Sequence, residues 1–190
     1  MNNFREQNPS KREIDKVVSK YQNHKSDLKI DFNNRCGYCD DHATWRSSFY
    51  EIDHFVPKQY LSGKEITDYG NLVYSCRYCN NSKRAKWPTG DKNNPNDGKA
   101  GFEKPWTSDY SNIFRRDDKG RIVSDSDLGN WMIKNLNLGL KRHSIIWQLD
   151  KLKSVVEQIK THYESKESID PKIEFLLEYI KLNEMLRDNI

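Results

Sequence analysis

The chain has 190 residues, 32% of them charged and 35% hydrophobic, with a mean hydropathy of −1.00 and a net charge of +4. No run approaches the 18 apolar residues of a membrane-spanning helix, and the first residues lack the apolar core of a signal peptide. The expected location is therefore the cytoplasm, with no membrane partner. In that reducing compartment, four cysteines in two close pairs point to a metal rather than to disulfides.

The charge is unevenly placed. Seven basic residues lie between Cys76 and Lys104, namely Arg77, Lys83, Arg84, Lys86, Lys92, Lys99 and Lys104. Only Asp91, Asp97 and Glu103 oppose them there, so the local excess of four equals the net charge of the whole chain. A cluster of this kind suits a phosphate backbone, and equally a solvated surface.

In chain order, Ser10 and Glu13 fit a capping box, and Ile14, Val17, Val18 and Tyr21 follow at helical spacing, which predicts a packing helix over 11–22. Phe49 to Ile52 and Asn71 to Tyr74 read as strands, and residues 80–86 as the start of a helix. The stretch 88–105 carries Pro88, Pro95 and Pro105 among Gly, Asn and Asp, and reads as a long loop. Residues 112–123 read as a hairpin, with Ile113-Phe114 and Ile122-Val123 flanking an Asp117–Gly120 turn. Leu128, Trp131, Met132 and Leu136 suit a short helix, and Ile145 to Ile159 a longer one. Asp170-Pro171 starts a last helix through Ile173, Leu176, Leu177 and Ile180. From Tyr163 to Ile190 there are four basic and seven acidic residues, a composition for packing or a partner protein rather than for nucleic acid.

Cys36-x-x-Cys39 and Cys76-x-x-Cys79 form the first chemical constellation. Two residues between thiols let both sulfurs reach one tetrahedral ion from a tight turn, and four thiolates make that zinc structural, with no position open to water. Tyr38, Trp45 and Trp87 are expected to pack around these knuckles. Between the pairs lies the second constellation, Glu51-Ile52-Asp53-His54-Phe55-Val56-Pro57, followed by Asn71-Leu72-Val73 and by Cys79-Asn80-x-x-Lys83.

The order C-x-x-C, D-H-x-x-P, N-L, C-x-x-C-N-x-x-K resembles the zinc-stapled branch of the HNH endonuclease superfamily, over roughly residues 35 to 87. The resemblance implies a ββα-metal unit with a catalytic divalent ion between hairpin and helix. It implies Asp53 and Asn80 as ligands of that ion, His54 as the base that activates water, Asn71 as the residue orienting the inter-strand loop, and Lys83 as a phosphate contact. Asn80 stands where the commoner pattern has His. Its amide oxygen, with a carboxylate and water, favours Mg²⁺ or Mn²⁺ over a softer ion. The helical C-terminal third, including Leu136-Asn137-Leu138, is similar to standalone bacterial phage-defence HNH proteins of the Septu type. That likeness implies an ATPase or other defence-system protein docking on the C-terminal helices.

The expectation is an α+β chain. Residues 1–34 form an N-terminal helical segment, 35–88 a ββα-metal core stapled by a four-cysteine zinc site, 89–111 a basic loop, and 112–190 a hairpin and C-terminal helices. The expected activity is metal-dependent hydrolysis of phosphodiester bonds in DNA, taken as double-stranded, with Arg77, Lys83, Arg84 and Lys86 on the nucleic acid. Two alternatives stay open: an RNA-cleaving, toxin-like nuclease, and a non-catalytic zinc-stabilised nucleic-acid-binding adaptor.

Overall fold

The computed structural model describes residues 2–45 and 49–163, together with 170, 173, 176 and 180. In chain order its elements are β1 (Asn2–Asn3), α1 (Lys25–Asp31), β2 (Tyr50–His54), β3 (Leu72–Cys76), α2 (Arg77–Lys83), α3 (Ser108–Ile113), β4 (Arg115–Arg116), β5 (Ile122–Val123), α4 (Asp127–Asn135) and α5 (Lys141–Tyr163), an α+β architecture. The chain divides into two compact units, Met1–Trp147 and Gln148–Ile190.

The centre of the first unit is a ββα element. β2 and β3 pair antiparallel, with Tyr50 opposite Cys76, Asp53 opposite Val73 and His54 opposite Leu72. All five residues of β3 are buried. Successive side chains of a strand point to opposite faces, so Glu51 and Asp53 share one face of β2 while Tyr50, Ile52 and His54 share the other. α2 follows β3 without a linker, packs against both strands, and stops at Arg84, whose φ is 47°. Leu28 and Phe32 from α1 and the following turn, and Tyr38, Leu72, Val73, Phe102, Tyr110 and Met132, build the core around this element.

A second, three-stranded sheet has the order β1-β4-β5. The fully buried Arg116 on β4 ties it inward: Nη2 donates to Cys39 O at 2.8 Å, Nη1 to Gly120 O at 2.9 Å and to His143 O at 3.3 Å, and Nε to Phe4 O at 3.4 Å. Four carbonyls satisfy a guanidinium that burial would otherwise penalise heavily. Side-chain caps start two of the helices: Thr107 Oγ1 accepts from Tyr110 N and Ser126 Oγ from Gly129 N. Among the described residues no helix is long and apolar enough to cross a membrane.

Two expectations change. The helix expected over 11–22 does not form: residues 8–18 have no regular structure, Val17 is 95% exposed, and the helix lies instead at Lys25–Asp31. The physical reason is that the groups of the expected first turn find tertiary partners. Ser10 N donates to Asp31 O at 2.9 Å, Arg12 N to Asp31 Oδ2 at 2.9 Å, and Lys11 Nζ to two carbonyls, Gly70 O and Leu72 O, at the start of β3. The capping box of this chain is formed elsewhere, by Ser62 and Glu65 around the 3-10 turn Gly63–Thr67. Ile113 belongs to α3 rather than to a strand, so the hairpin is shorter and consists of β4 and β5. The short helix and the long one that follows it appear as α4 and α5. In the second unit Ile173, Leu176 and Ile180 are helical, and the remainder of the last expected helix lies outside the described residues.

Candidate active site

Both cysteine pairs sit at turns that precede or begin an element of the ββα unit. In the first knuckle Asp40 N donates to Cys36 O and Cys36 N to Asp41 O, each at 2.9 Å, while Gly37 N reaches Tyr74 O at 2.8 Å. A Cβ on Gly37 would lie 2.7 Å from the Phe32 ring and 2.8 Å from Val73, so only glycine lets the knuckle seat this deeply. The second knuckle is the β3–α2 junction, where Cys76 N donates to Cys36 Sγ at 3.3 Å.

All four sulfurs are buried and lie within 4.8 Å of one another. Cys39 Sγ and Cys76 Sγ are 3.8 Å apart. A tetrahedral zinc with Zn–S bonds of about 2.3 Å has an edge of about 3.8 Å. The protonation of the sulfurs fits the same ion. Burial pushes the Cys39 and Cys79 thiols well above their ordinary value. Burial acts on Cys36 in the same sense, but hydrogen bonds from the other three hold it well below. Burial thus works against the Cys39 and Cys79 thiolates, and a divalent cation is what stabilises four thiolates together. The cluster is consistent with a structural zinc, with Cys36, Cys39, Cys76 and Cys79 as ligands.

Asp41 and His143 flank this cluster, with Cys39 Sγ, an Asp41 oxygen and a His143 nitrogen within 4.8 Å. His143 Nδ1 lies 2.8 Å from Asp41 Oδ2, and its Nε2 lies 3.2 Å from Asn137 O. Both ring nitrogens therefore have partners, and the pair braces the zinc knuckle against the start of α5.

Asp53 and His54 end β2 and diverge as strand geometry requires. Asp53 turns towards α2 and is buried. Its Oδ2 accepts from Tyr38 Oη at 2.5 Å and lies 3.0 Å from Lys83 Nζ. Burial raises the Asp53 carboxyl above its ordinary value, against the opposing pull of Lys83 and Tyr38. Lys83 is fully buried, and its ammonium also donates to His54 O at 2.7 Å. It therefore braces the end of β2 from inside and does not face solvent, where a phosphate contact would need it. Asn80 sits on the same side of the hairpin, its Nδ2 donating to Glu51 Oε2 at 2.8 Å, while Arg77 Nε holds Glu51 Oε1 at 2.7 Å. Arg84 and Lys86 are exposed at the end of α2 and just beyond it.

On the opposite face, His54 Nε2 lies 2.8 Å from Ile66 O. A carbonyl oxygen only accepts, so Nε2 carries the proton and Nδ1 the lone pair of the neutral ring. Burial lowers the His54 pKa from its ordinary 6.5, which keeps that ring neutral at pH 7. Tyr21 meets the imidazole edge-on at 4.6 Å, and the exposed Lys58 lies over Tyr21 at 4.4 Å. Asn71 closes the far end of the hairpin. Its Oδ1 accepts from Val56 N at 2.8 Å and its Nδ2 donates to Val56 O at 3.0 Å, clamping the chain two residues beyond His54. Lys11 in turn grips the carbonyls on either side of Asn71, Gly70 O at 2.8 Å and Leu72 O at 2.7 Å.

The structure thus gathers Asp53, His54, Asn71, Asn80 and Lys83 around one hairpin end and helix. It adds residues to which the motif gave no role beside Asp53 and His54: Tyr38, Glu51, Tyr21, Lys58 and Lys11. Glu51 had a local signal, since it lies one strand period before Asp53 on the same face. Tyr38, Tyr21 and Lys11 had none, because they arrive from 15, 33 and 59 or more residues away.

Comparison with known proteins agrees with this geometry. Residues 36–86 match the family model for HNH endonuclease. A stretch of 51 residues is 35% identical to the Septu protein PtuB of Bacillus thuringiensis, covering 27% of this chain and 20% of that protein. The alignment therefore spans about a fifth of the curated relative's length. No solved structure matches. With the motif order, the ββα geometry and the family match in agreement, residues 36–86 are an HNH endonuclease domain.

Proposed function

We propose that the chain is an endonuclease that hydrolyses phosphodiester bonds in DNA, with His54 as general base. The observation that carries this reading is the anchoring of His54 Nε2 on Ile66 O at 2.8 Å, which presents Nδ1 as the basic nitrogen of a neutral ring. Nδ1 takes a proton from water as the water oxygen attacks phosphorus. The P–O3′ bond breaks and the leaving O3′ takes a proton from solvent water, giving a 5′-phosphate and a 3′-hydroxyl. General-base assistance of this kind contributes about 10²- to 10⁴-fold in rate.

Asp53 and Asn80 would hold the catalytic ion. They fit a hard cation: the donors are a carboxylate and an amide whose nitrogen is engaged by Glu51, which leaves the amide oxygen as the donor end. Mg²⁺ and Mn²⁺ are bound through one or two such protein oxygens, with water and substrate phosphate completing the shell. When bound, such an ion acts as a Lewis acid on the phosphoryl oxygens and steadies the leaving oxygen. Lys83 and Tyr38 fix the Asp53 carboxylate from behind, and the Asn71 clamp fixes the segment after His54. Arg77, Arg84 and Lys86 supply exposed cations for the phosphate backbone on the α2 side. The likeness to the Septu protein PtuB supports a role in bacterial phage defence, and the acidic excess from Tyr163 to Ile190 supports that segment as the surface for an ATPase or other defence-system protein.

The test is nicking of supercoiled plasmid with Mg²⁺, Mn²⁺, Zn²⁺ or EDTA, by wild type and His54→Ala, beside a matched RNA digest. Metal-dependent nicking that falls at least 100-fold in the variant, with zinc content unchanged, is expected. Equal nicking by both proteins removes His54 from the mechanism. Cleavage of RNA alone transfers the reading to the toxin-like alternative, and binding with no cleavage of either polymer to the adaptor.

A further inference from the structure

The 88–106 loop is a shaped wall. Trp87 Nε1 donates to Asp91 O at 2.8 Å, Thr89 Oγ1 to Asn94 O at 2.5 Å, and Phe102 N to Pro95 O at 2.9 Å. Gly101, at φ +123°, lets the loop close on itself, since a Cβ there would lie 2.3 Å from Pro95 O. Folded this way, the loop encloses a cleft of about 350 Å³ against the β2–β3 connection.

The cleft is lined by Phe55 and Val56, immediately after His54, by Asp68, Gly70 and Asn71, and, from the loop, by Lys92, Asn93, Pro95, Lys104 and Trp106. The groups fall into three chemical kinds. Trp106, half-buried and meeting the buried Phe55 edge-on with ring centroids 5.5 Å apart, offers apolar aromatic surface. Lys92 and Lys104 are exposed cations at the rim, Lys92 being held by Glu65 at 2.7 Å in an exposed pair that an anion can displace. Asp68 and Asn93 offer acceptors and donors. Lys11 Nζ, whose pKa burial lowers to about 7, lies 3.8 Å from the centre of the Trp106 ring.

An aromatic surface, two cations and an amide–carboxylate pair are the complement of a nucleobase joined to a phosphate. The volume is near the bottom of the roughly 300–1,000 Å³ range of ligand pockets, room for one nucleotide and far too little for a duplex. The position fits the cutting site: the wall of the cleft formed by Phe55 and Val56 starts at the residue that follows His54.

We infer that this cleft binds one unpaired nucleotide of the strand being cut, base against Trp106 and phosphate between Lys92 and Lys104. The preferred substrate is then single-stranded or locally opened nucleic acid. The inference rests on the nuclease reading for its position and on the cleft's own chemistry for its ligand.

The test is binding of fluorescein-labelled single-stranded DNA 10-mer, matched RNA 10-mer and DNA duplex, by anisotropy without added Mg²⁺ or Mn²⁺. Wild type, His54→Ala, Lys104→Glu and Trp106→Leu are compared, each checked for zinc content and thermal unfolding. Single strands of at least one sugar type are expected to bind at least 10-fold tighter than duplex. Lys104→Glu and Trp106→Leu should each weaken that binding 5-fold or more, while His54→Ala binds like wild type. Lys104 is exposed, so its variant keeps the test alive if Trp106→Leu fails to fold. Equal affinity for single strand and duplex, or wild-type affinity in Lys104→Glu, overturns the inference. Cleavage separates the two readings: cleavage without cleft-dependent binding sinks the cleft alone, and cleft-dependent binding with no cleavage of plasmid, single-stranded DNA or RNA sinks the nuclease alone.

Discussion

Lys83 provides the sharpest quantitative test of the site, because its ammonium is fully buried, 3.0 Å from Asp53 Oδ2 and 2.7 Å from His54 O. Lys83→Met preserves the length of the stem and deletes the charge. It leaves the Asp53 carboxylate buried with the Tyr38 hydroxyl as its remaining partner at that oxygen. Breaking a buried pair from one side costs about 3–5 kcal/mol. At about 2–4 °C per kcal/mol for a chain of this size, the melting temperature should fall by roughly 6–20 °C. Asp53→Asn, which strands the ammonium, should also destabilise. The double variant removes both charges and should be more stable than the two losses added together, by about 0.5–3 kcal/mol of coupling. The assay is thermal and urea unfolding of the four proteins, zinc-loaded, at one ionic strength. A loss under about 1 kcal/mol in Lys83→Met is the behaviour of an exposed ion pair, and would refute the inward placement. Salt titration of DNA binding gives an independent check. A lysine on phosphate lowers the salt slope by about 1 when removed. Lys83→Met should leave the slope unchanged, whereas Arg84→Ala or Lys86→Ala should reduce it.

Elemental analysis should find one zinc per chain, and Cys76→Ala should lose it together with cooperative unfolding, since its three remaining sulfurs are buried without a tetrahedral ion. Retention of one zinc by that variant would contradict the four-thiolate assignment. Lys11 has a folded pKa of about 7, well below its unfolded value of 10.5. Between these values the unfolded chain binds more protons, so this group's contribution makes stability rise with pH from 7 upward, by at most about 1.4 kcal/mol per unit. Wild type minus Lys11→Met should therefore rise from pH 7 to 9 in urea unfolding, and a flat difference would show that Lys11 titrates normally. Arg116→Met should cost about 3 kcal/mol or more, because four carbonyls, of Phe4 just after β1, the zinc knuckle, the β4–β5 turn and α5, lose their donor together. Differential scanning calorimetry checks this, and a loss under about 1 kcal/mol would mean the carbonyls find other partners.

Much of the ββα core was legible from residue order alone, for a short-range reason. Two residues between thiols set the bite of a zinc knuckle, and period-2 alternation at 50–54 places Asp53 and His54 on opposite faces whatever surrounds them. The long loop at 88–105 and the helices α4 and α5 were legible for the same reason, since proline and helical spacing act within a few residues.

Tertiary structure decided what lies beyond that range. Residues 11–22 carry a respectable helix pattern, yet its advantage is a few tenths of a kcal/mol per residue, and the bonds of Ser10, Lys11 and Arg12 to Asp31, Gly70 and Leu72 outweigh it. Whether Lys83 meets phosphate or Asp53 depends on a carboxylate 30 residues upstream. The sequence by itself determined the donor set, four sulfurs in two knuckles and a carboxylate, an imidazole and an amide beside them. Only the fold decided which face each donor presents and what holds it there, because burial and partner distance, not residue type, determine whether a charge faces water or another charge.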